Sequence, residues 1–349
     1  MNALAGSRRD VRRQGRTGLA CVVVSALLVV SVSARSSDSL RAWNGGPTKN
    51  AITQFVRDVT TPGGREFVPP SERIALFSHD GTLSPEVPLS AELAFACDRI
   101  KAGARAHPAW KSREPFRSAL ARDGKALAAR GPRGAMELLS AAHAGLTTEE
   151  YEKEIQSWLL KGRNQRLNRL YARSAYEPML ELLAYLRASG FKIFIVTPGE
   201  ALFLRAWSEK TYGVPPERVI GSAIRTKFIV PKKGNPSLVL RPAFELLDAA
   251  GGRPEAIARW IGRRPILVAA NSDADLPTIA WSTSGAGRRL ALLLRHTDGE
   301  GEFAYDRNGV VGRLDKGLEI AKKKGWTVID MTKDWNRVFT KSENEPPRP

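Results

Sequence analysis

Cysteine is nearly absent from this chain: only Cys21 and Cys97 occur in 349 residues. That excludes a disulfide framework, and the spacing excludes a zinc cluster. No apolar run reaches the roughly 20 residues that a membrane-spanning helix needs. Acids are also scarce relative to bases, with 36 Asp and Glu against 54 Lys and Arg, a net charge of +18. An excess of this kind suits nucleic acid, an anionic surface or an anionic substrate. No basic run interleaved with aromatics accompanies it, and no zinc-finger or RNA-binding signature, which argues against nucleic acid. A solvated basic surface accounts for the charge. There is no internal repeat.

What is present begins with a leader. Arg8, Arg9, Arg12, Arg13 and Arg16 precede an apolar stretch from Gly18 that ends in Val32-Ser33-Ala34. A positive region, a short apolar core and a small-x-small ending describe a secretory signal peptide over residues 1–34. Cleavage and export to the periplasm or beyond are expected, with an uncleaved membrane anchor as the alternative. Removing it takes away Cys21, five Arg and one Asp, leaving a charge of +14 and a single thiol. Residues 35–45 read as a linker, and residues 342–349, polar with three prolines, as a disordered tail.

The chain is organised around Ile74-Ala75-Leu76-Phe77-Ser78-His79-Asp80-Gly81-Thr82-Leu83. The apolar run predicts a buried strand of a parallel sheet, and the turn after it lies where open α/β sheets place their sites. Ala51–Val59 predicts a short helix stopped by Thr61-Pro62-Gly63-Gly64. Residues 84–176 read as mostly helical, with a capping box from Thr147 to Glu150. A helix opened by Pro178 and ended by Gly190 leads into a strand, Lys192–Val196, and the turn Thr197-Pro198-Gly199. A helix over Ala201–Tyr212 follows, then a hairpin with strands at Ile229-Val230 and Leu238–Leu240. Gly251-Gly252-Arg253-Pro254 opens a helix before the strand Pro265–Ala269, which runs into Asn271-Ser272-Asp273-Ala274-Asp275. One more strand is expected over Leu290–Leu294.

An apolar strand with Asp-Gly-Thr, a strand with Thr-x-Gly and a strand with Asn-Ser-Asp-x-Asp, in that order, resemble the haloacid dehalogenase (HAD) superfamily. The stretches His143–Thr147, Gly262–Pro265 and Gly312–Lys316 look like a secreted, phosphoserine phosphatase-like subgroup of it. The resemblance covers about residues 43–340. It implies a Rossmann-like parallel α/β core formed by residues 46–83 and 177–341, with residues 84–176 as an inserted helical cap that closes over substrate. It also implies phosphoryl transfer through an aspartyl-phosphate, with Mg²⁺ and fixed donors around the phosphate. By position, Asp80 matches the general acid/base and also a metal ligand. Thr197, Gly199 and Gly81 match phosphate-binding positions, and Asp273 and Asp275 the metal-binding acids. Arg253 falls where the charge-balancing Lys is placed, with Lys232 or Lys233 as fallbacks. The partner implied is a small phosphorylated or anionic ligand.

Several positions depart from the pattern. Ser78 stands where the nucleophilic Asp belongs, so no aspartyl-phosphate can form and one anionic metal ligand is missing. His79, beside it on the strand, points the other way and is poorly placed to serve as its base. Pro198 removes a backbone N–H that would meet phosphate. Arg in place of Lys is not an equivalent cation, and Ala270 and Ala274 replace common glycines. Loss of the covalent nucleophile costs several orders of magnitude in rate, and loss of one donor about another 10²–10³. The expected function is therefore a degenerate HAD phosphatase that still binds an anionic ligand. The alternatives are an active, exported, Mg²⁺-dependent phosphomonoesterase and, third, a basic protein held at an anionic envelope surface.

Overall fold

A computed structural model describes residues 39–245, 247 and 253–340. The expected leader, the start of the linker, Gly251-Gly252 and the tail from residue 342 lie outside the described residues.

The strand β1 (Ile74–Ser78) is buried along its whole length. Such a run is what a central strand needs when helices cover both faces of a parallel sheet. It follows α1 (Pro47–Thr60), which starts earlier than the apolar spacing predicts because Pro47 fits the first helical turn. After β1 come α2 (Ala91–Gly103), α3 (Phe116–Ala121), α4 (Gly124–Ala128), α5 (Gly131–His143) and α6 (Thr148–Leu159). The capping box at Thr147 and Glu150 is formed, and Tyr151, Ile155, Trp158 and Leu159 are buried. Two short strands that the sequence did not announce, β2 (Arg163–Asn164) and β3 (Arg169–Leu170), pair with each other.

The chain then alternates. It runs through α7 (Glu177–Ala188), β4 (Lys192–Glu200), α8 (Ala201–Tyr212), β5 (Val219–Ile229) and β6 (Ser237–Glu245). It continues with α9 (Arg253–Ile261), β7 (Leu267–Ala270), α10 (Leu276–Thr283), β8 (Leu290–Arg295), α11 (Lys316–Lys324), β9 (Thr327–Asp330) and α12 (Met331–Asp334). The seven-stranded sheet has the order β6-β5-β4-β1-β7-β8-β9, and only the β5–β6 pair is antiparallel. This is the Rossmann-like α/β architecture. The hairpin differs from its expectation: its strands are much longer than the short apolar pairs that signalled them. Because β5 also pairs with β4, the hairpin forms the edge of the main sheet.

Strand alternation divides the core in two. Ala75 and Phe77 pack on one face with Ile193, Ile195 and the helices α1, α7 and α8. Leu76 packs on the other with Val196, Val268, Ile257, Ile279 and Ala321. Among the described residues no helix is long and apolar enough to cross a membrane.

Candidate active site

The three motif segments end side by side, because β4, β1 and β7 are adjacent in the sheet. The hydroxyl of Ser78, the last residue of β1, donates to Asp275 Oδ1 at 2.7 Å. The same oxygen takes a very short hydrogen bond from the Arg253 guanidinium, while Ser272 Oγ donates to Oδ2 at 2.8 Å. Ser78, Arg253 and Asp275 are all buried. One carboxylate is thus held by one guanidinium and two hydroxyls. No imidazole or carboxylate other than Asp275 is hydrogen-bonded to Ser78 Oγ among the described residues, and Asp275 is already neutralised by Arg253. Lys232 and Lys233 lie far along the chain's edge hairpin, exposed.

The next turn is fixed from several sides. Gly81 has φ +73°, and a Cβ there would run into the Asn271 amide and Glu86, so this position requires glycine. His296 Nε2 lies 2.7 Å from the Gly81 carbonyl. A carbonyl only accepts, so Nε2 carries the proton. The other ring nitrogen meets Glu302 at 3.0 Å, and Tyr176 donates to Glu302 at 2.9 Å. Thr82 donates to Asn271 Oδ1 at 2.9 Å, and Asn271 in turn donates to Glu86 at 2.7 Å, as does Tyr305. Burial pushes the Glu86 carboxyl up to about 7, with the Asp80 charge adding to the rise against relief from His296 and Tyr305. His79 is buried between Asp80, 2.9 Å from Nδ1, and Tyr212, 3.0 Å from Nε2. Of this group the partly exposed Asp80 is the carboxylate beside the end of β1.

On the β4 side, Thr197 Oγ1 accepts the Gly199 N–H at 3.0 Å, and Pro198 has none to offer. The Glu200 N–H donates to Glu92, from the first turn of α2, at 2.5 Å. A side chain at Gly199 would collide with that Glu92 carboxyl. One of the protein's own acids therefore takes the Glu200 amide of this loop. Behind it, Tyr151 donates to Glu200 Oε2 at 2.7 Å, and His143 packs on Tyr151 with neither ring nitrogen hydrogen-bonded. The sequence reading missed Glu86, Glu92, Glu200, His143, His296 and Glu302. Each is a lone polar residue in a helix, a strand end or a loop, and nothing local separates it from a solvated one.

Burial pushes the Glu200 carboxyl up to about 8 and raises that of Glu92 well above the carboxylate range. Burial, with help from the Arg99 charge, brings His143 down to about 3. The linkage signs follow. An acid with a raised folded pKa holds more protons when folded, so Glu200 stabilises fully below its ordinary 4.5 and loses that contribution as pH rises to about 8. His143 acts oppositely, and its contribution is lost as pH falls from its ordinary 6.5 toward about 3. Between about pH 6.5 and 8 only the acids of this cluster act, and the urea midpoint of the wild type falls. Glu200→Gln keeps an acceptor for Tyr151 and flattens that fall. An unchanged slope in Glu200→Gln would show that the carboxyl ionises normally.

A divalent ion would need the acidic oxygens to converge. They do not. Both oxygens of Asp273 accept the backbone N–H groups of Asp315, Lys316 and Gly317 at 2.8–3.1 Å. There they satisfy the otherwise orphan donors at the start of α11. Asp275 is committed to Arg253, which leaves Asp80 as the remaining acid of the expected set. Among the described residues no group of three or more His, Cys, Asp or Glu side chains is arranged to hold a metal. The residues present do not fit an octahedral, carboxylate-rich Mg²⁺ site.

A mostly parallel α/β sheet with polar loops at the carboxyl ends of its central strands defines the class of Rossmann-like α/β folds. The profile described as haloacid dehalogenase-like hydrolase matches residues 75–280, more than half of the chain. The chain belongs to that family. Among solved structures it is similar to a conserved, functionally unknown protein from Anaerococcus prevotii, 14% identical, with 83% of this chain and 93% of that one covered and a TM-score of 0.52. That likeness shows the fold. A protein of unknown function from Bordetella pertussis is 17% identical, with 74% and 99% covered and a TM-score of 0.47. A phosphoserine phosphohydrolase-like protein from Francisella tularensis is 14% identical, with 75% and 95% covered and a TM-score of 0.40. No curated protein matches the sequence.

Proposed function

We propose that this chain is an exported HAD-fold protein whose covalent phosphatase chemistry is disabled, and whose remaining site binds a small anionic or phosphorylated ligand. The observation that carries this reading is the state of Ser78. It occupies the nucleophile's position, and its hydroxyl is spent on an Asp275 already neutralised by Arg253. A serine nucleophile needs a base to take its proton, and the one carboxylate that meets Ser78 has its oxygens occupied by the Arg253 guanidinium and the Ser272 hydroxyl. Pro198 and the Glu92 contact point the same way, since Pro198 has no N–H and those of Gly199 and Glu200 are already taken. A ligand anion entering there displaces Glu92. Residues 84–176 act as the cap in this reading, and the charge-balancing cation is Arg253. Export rests on the leader of residues 1–34.

An active Mg²⁺-dependent phosphomonoesterase is the second reading. Asp80 favours it: the carboxylate is partly exposed and sits two residues beyond Ser78 on an intact Asp-Gly-Thr turn. Purified protein with p-nitrophenyl phosphate and Mg²⁺ separates the two. The expected result is release of nitrophenol no faster than with Asp80→Asn. Mg²⁺-dependent turnover that Asp80→Asn abolishes establishes the phosphomonoesterase instead.

A further inference from the structure

The edge hairpin carries a surface that the site does not use. Phe228 and Leu238 are register partners near its tip. Along β6 the free edge is closed by residues 145–147: Leu240 donates to the Leu146 carbonyl at 2.8 Å and accepts from Gly145 at 3.0 Å, while Thr147 bridges Val239. Leu240 is fully buried there. Beyond that closure the cover stops. Phe228 is 63%, Val230 66% and Leu238 43% exposed, three large apolar side chains near the turn of one hairpin.

Charge on this segment is one-sided. From Arg218 to Phe244 there is no Asp or Glu, while Arg218, Arg225, Lys227, Lys232, Lys233 and Arg241 are all basic. Lys232 and Lys233 lie in the exposed turn between the strands, next to the apolar tip.

We propose that this hairpin is a membrane-contacting surface, with Phe228, Val230 and Leu238 entering the headgroup region of an anionic lipid bilayer and the lysines meeting its phosphates. Exposed apolar side chains interspersed with Lys and Arg, along a segment without Asp or Glu, are the chemistry of interfacial lipid binding. A nucleic acid uses cations and stacking rings, but of the three tip side chains two are aliphatic. An acidic peptide would be held by the same cations but offers the exposed Phe228, Val230 and Leu238 no apolar partner. The proposal is independent of whether the HAD site is active.

The test is sedimentation of the full chain with phosphatidylcholine vesicles, with and without a quarter of phosphatidylserine. Binding is expected only to the anionic vesicles, and it weakens as salt is raised. Phe228→Ser with Val230→Ser, and separately Lys232→Glu with Lys233→Glu, each lower that binding by about tenfold or more. The melting temperature stays unchanged, because these residues are exposed. The proposal is overturned by no binding to anionic vesicles, by equal binding to neutral ones, or by binding that survives both tip variants, as it would if another segment carried it. A concentration-dependent dimer that the Phe228 and Val230 substitutions dissociate also overturns it, by assigning the tip to a second copy of the chain.

Discussion

Ser78→Asp, which restores the family's nucleophile on paper, is expected to lower stability by about 2–4 kcal/mol and to gain no phosphatase activity. The hydroxyl it replaces lies 2.7 Å from Asp275 Oδ1 in a fully buried strand. A carboxylate there faces another carboxylate with one guanidinium between them. Either a buried charge is left uncompensated, or one acid takes up a proton and ceases to be a nucleophile. Even an ionised Asp at 78 would meet a phosphate without the amides of Glu200 and Gly199, which Glu92 and Thr197 hold. The urea midpoint and p-nitrophenyl phosphate turnover of the variant measure both parts. Mg²⁺-dependent turnover, or a Mg²⁺-induced rise in stability absent from the wild type, would falsify the closed-network account.

Arg253→Ala is expected to cost about 3–5 kcal/mol, the usual loss when one partner of a buried ion pair is removed. The loss comes less from the missing attraction than from Asp275 left charged in the interior, with only Ser78 and Ser272 hydroxyls to hold it. Two further variants separate those causes. Asp275→Asn in the Arg253→Ala background removes the stranded charge and recovers a large part of the stability. Arg253→Met with Asp275→Leu, which replaces the pair by apolar side chains, lies close to the wild type. If Arg253→Ala alone unfolds at the wild-type midpoint, the pair contributes nothing and Asp275 is solvated.

The apolar strands were legible because a central parallel strand must be apolar throughout, and because the helices of a βαβ unit show their buried face at a spacing of three and four. The capping box at Thr147 and the helix over Ala201–Tyr212 were readable for the same local reason. β9 was not: Thr327–Asp330 is four residues long and only half-buried, too short for a pattern. The length of β5 and β6 was hidden because most of the hairpin is exposed and basic, without the alternation that one buried face imposes. Asp273 and Asp275 looked alike in the sequence, two acids in one loop. In the fold they part company, one turned to the amide groups of α11 and the other to Arg253.

The sequence alone determined the α/β alternation, the three motif segments and the replacement of an acid by Ser78 and of an amide donor by Pro198. Those are properties of residue type, and of periodicity over a few neighbours. Only the tertiary structure decided which charges meet. Arg253 closes on Asp275, Glu92 reaches the Glu200 amide from 108 residues away in the chain, and Asp273 leaves the site to cap a helix. Such pairings depend on where distant elements cross and how deeply they are buried. A buried charge takes whatever partner the packing brings within reach, and the sequence around it carries no mark of that partner.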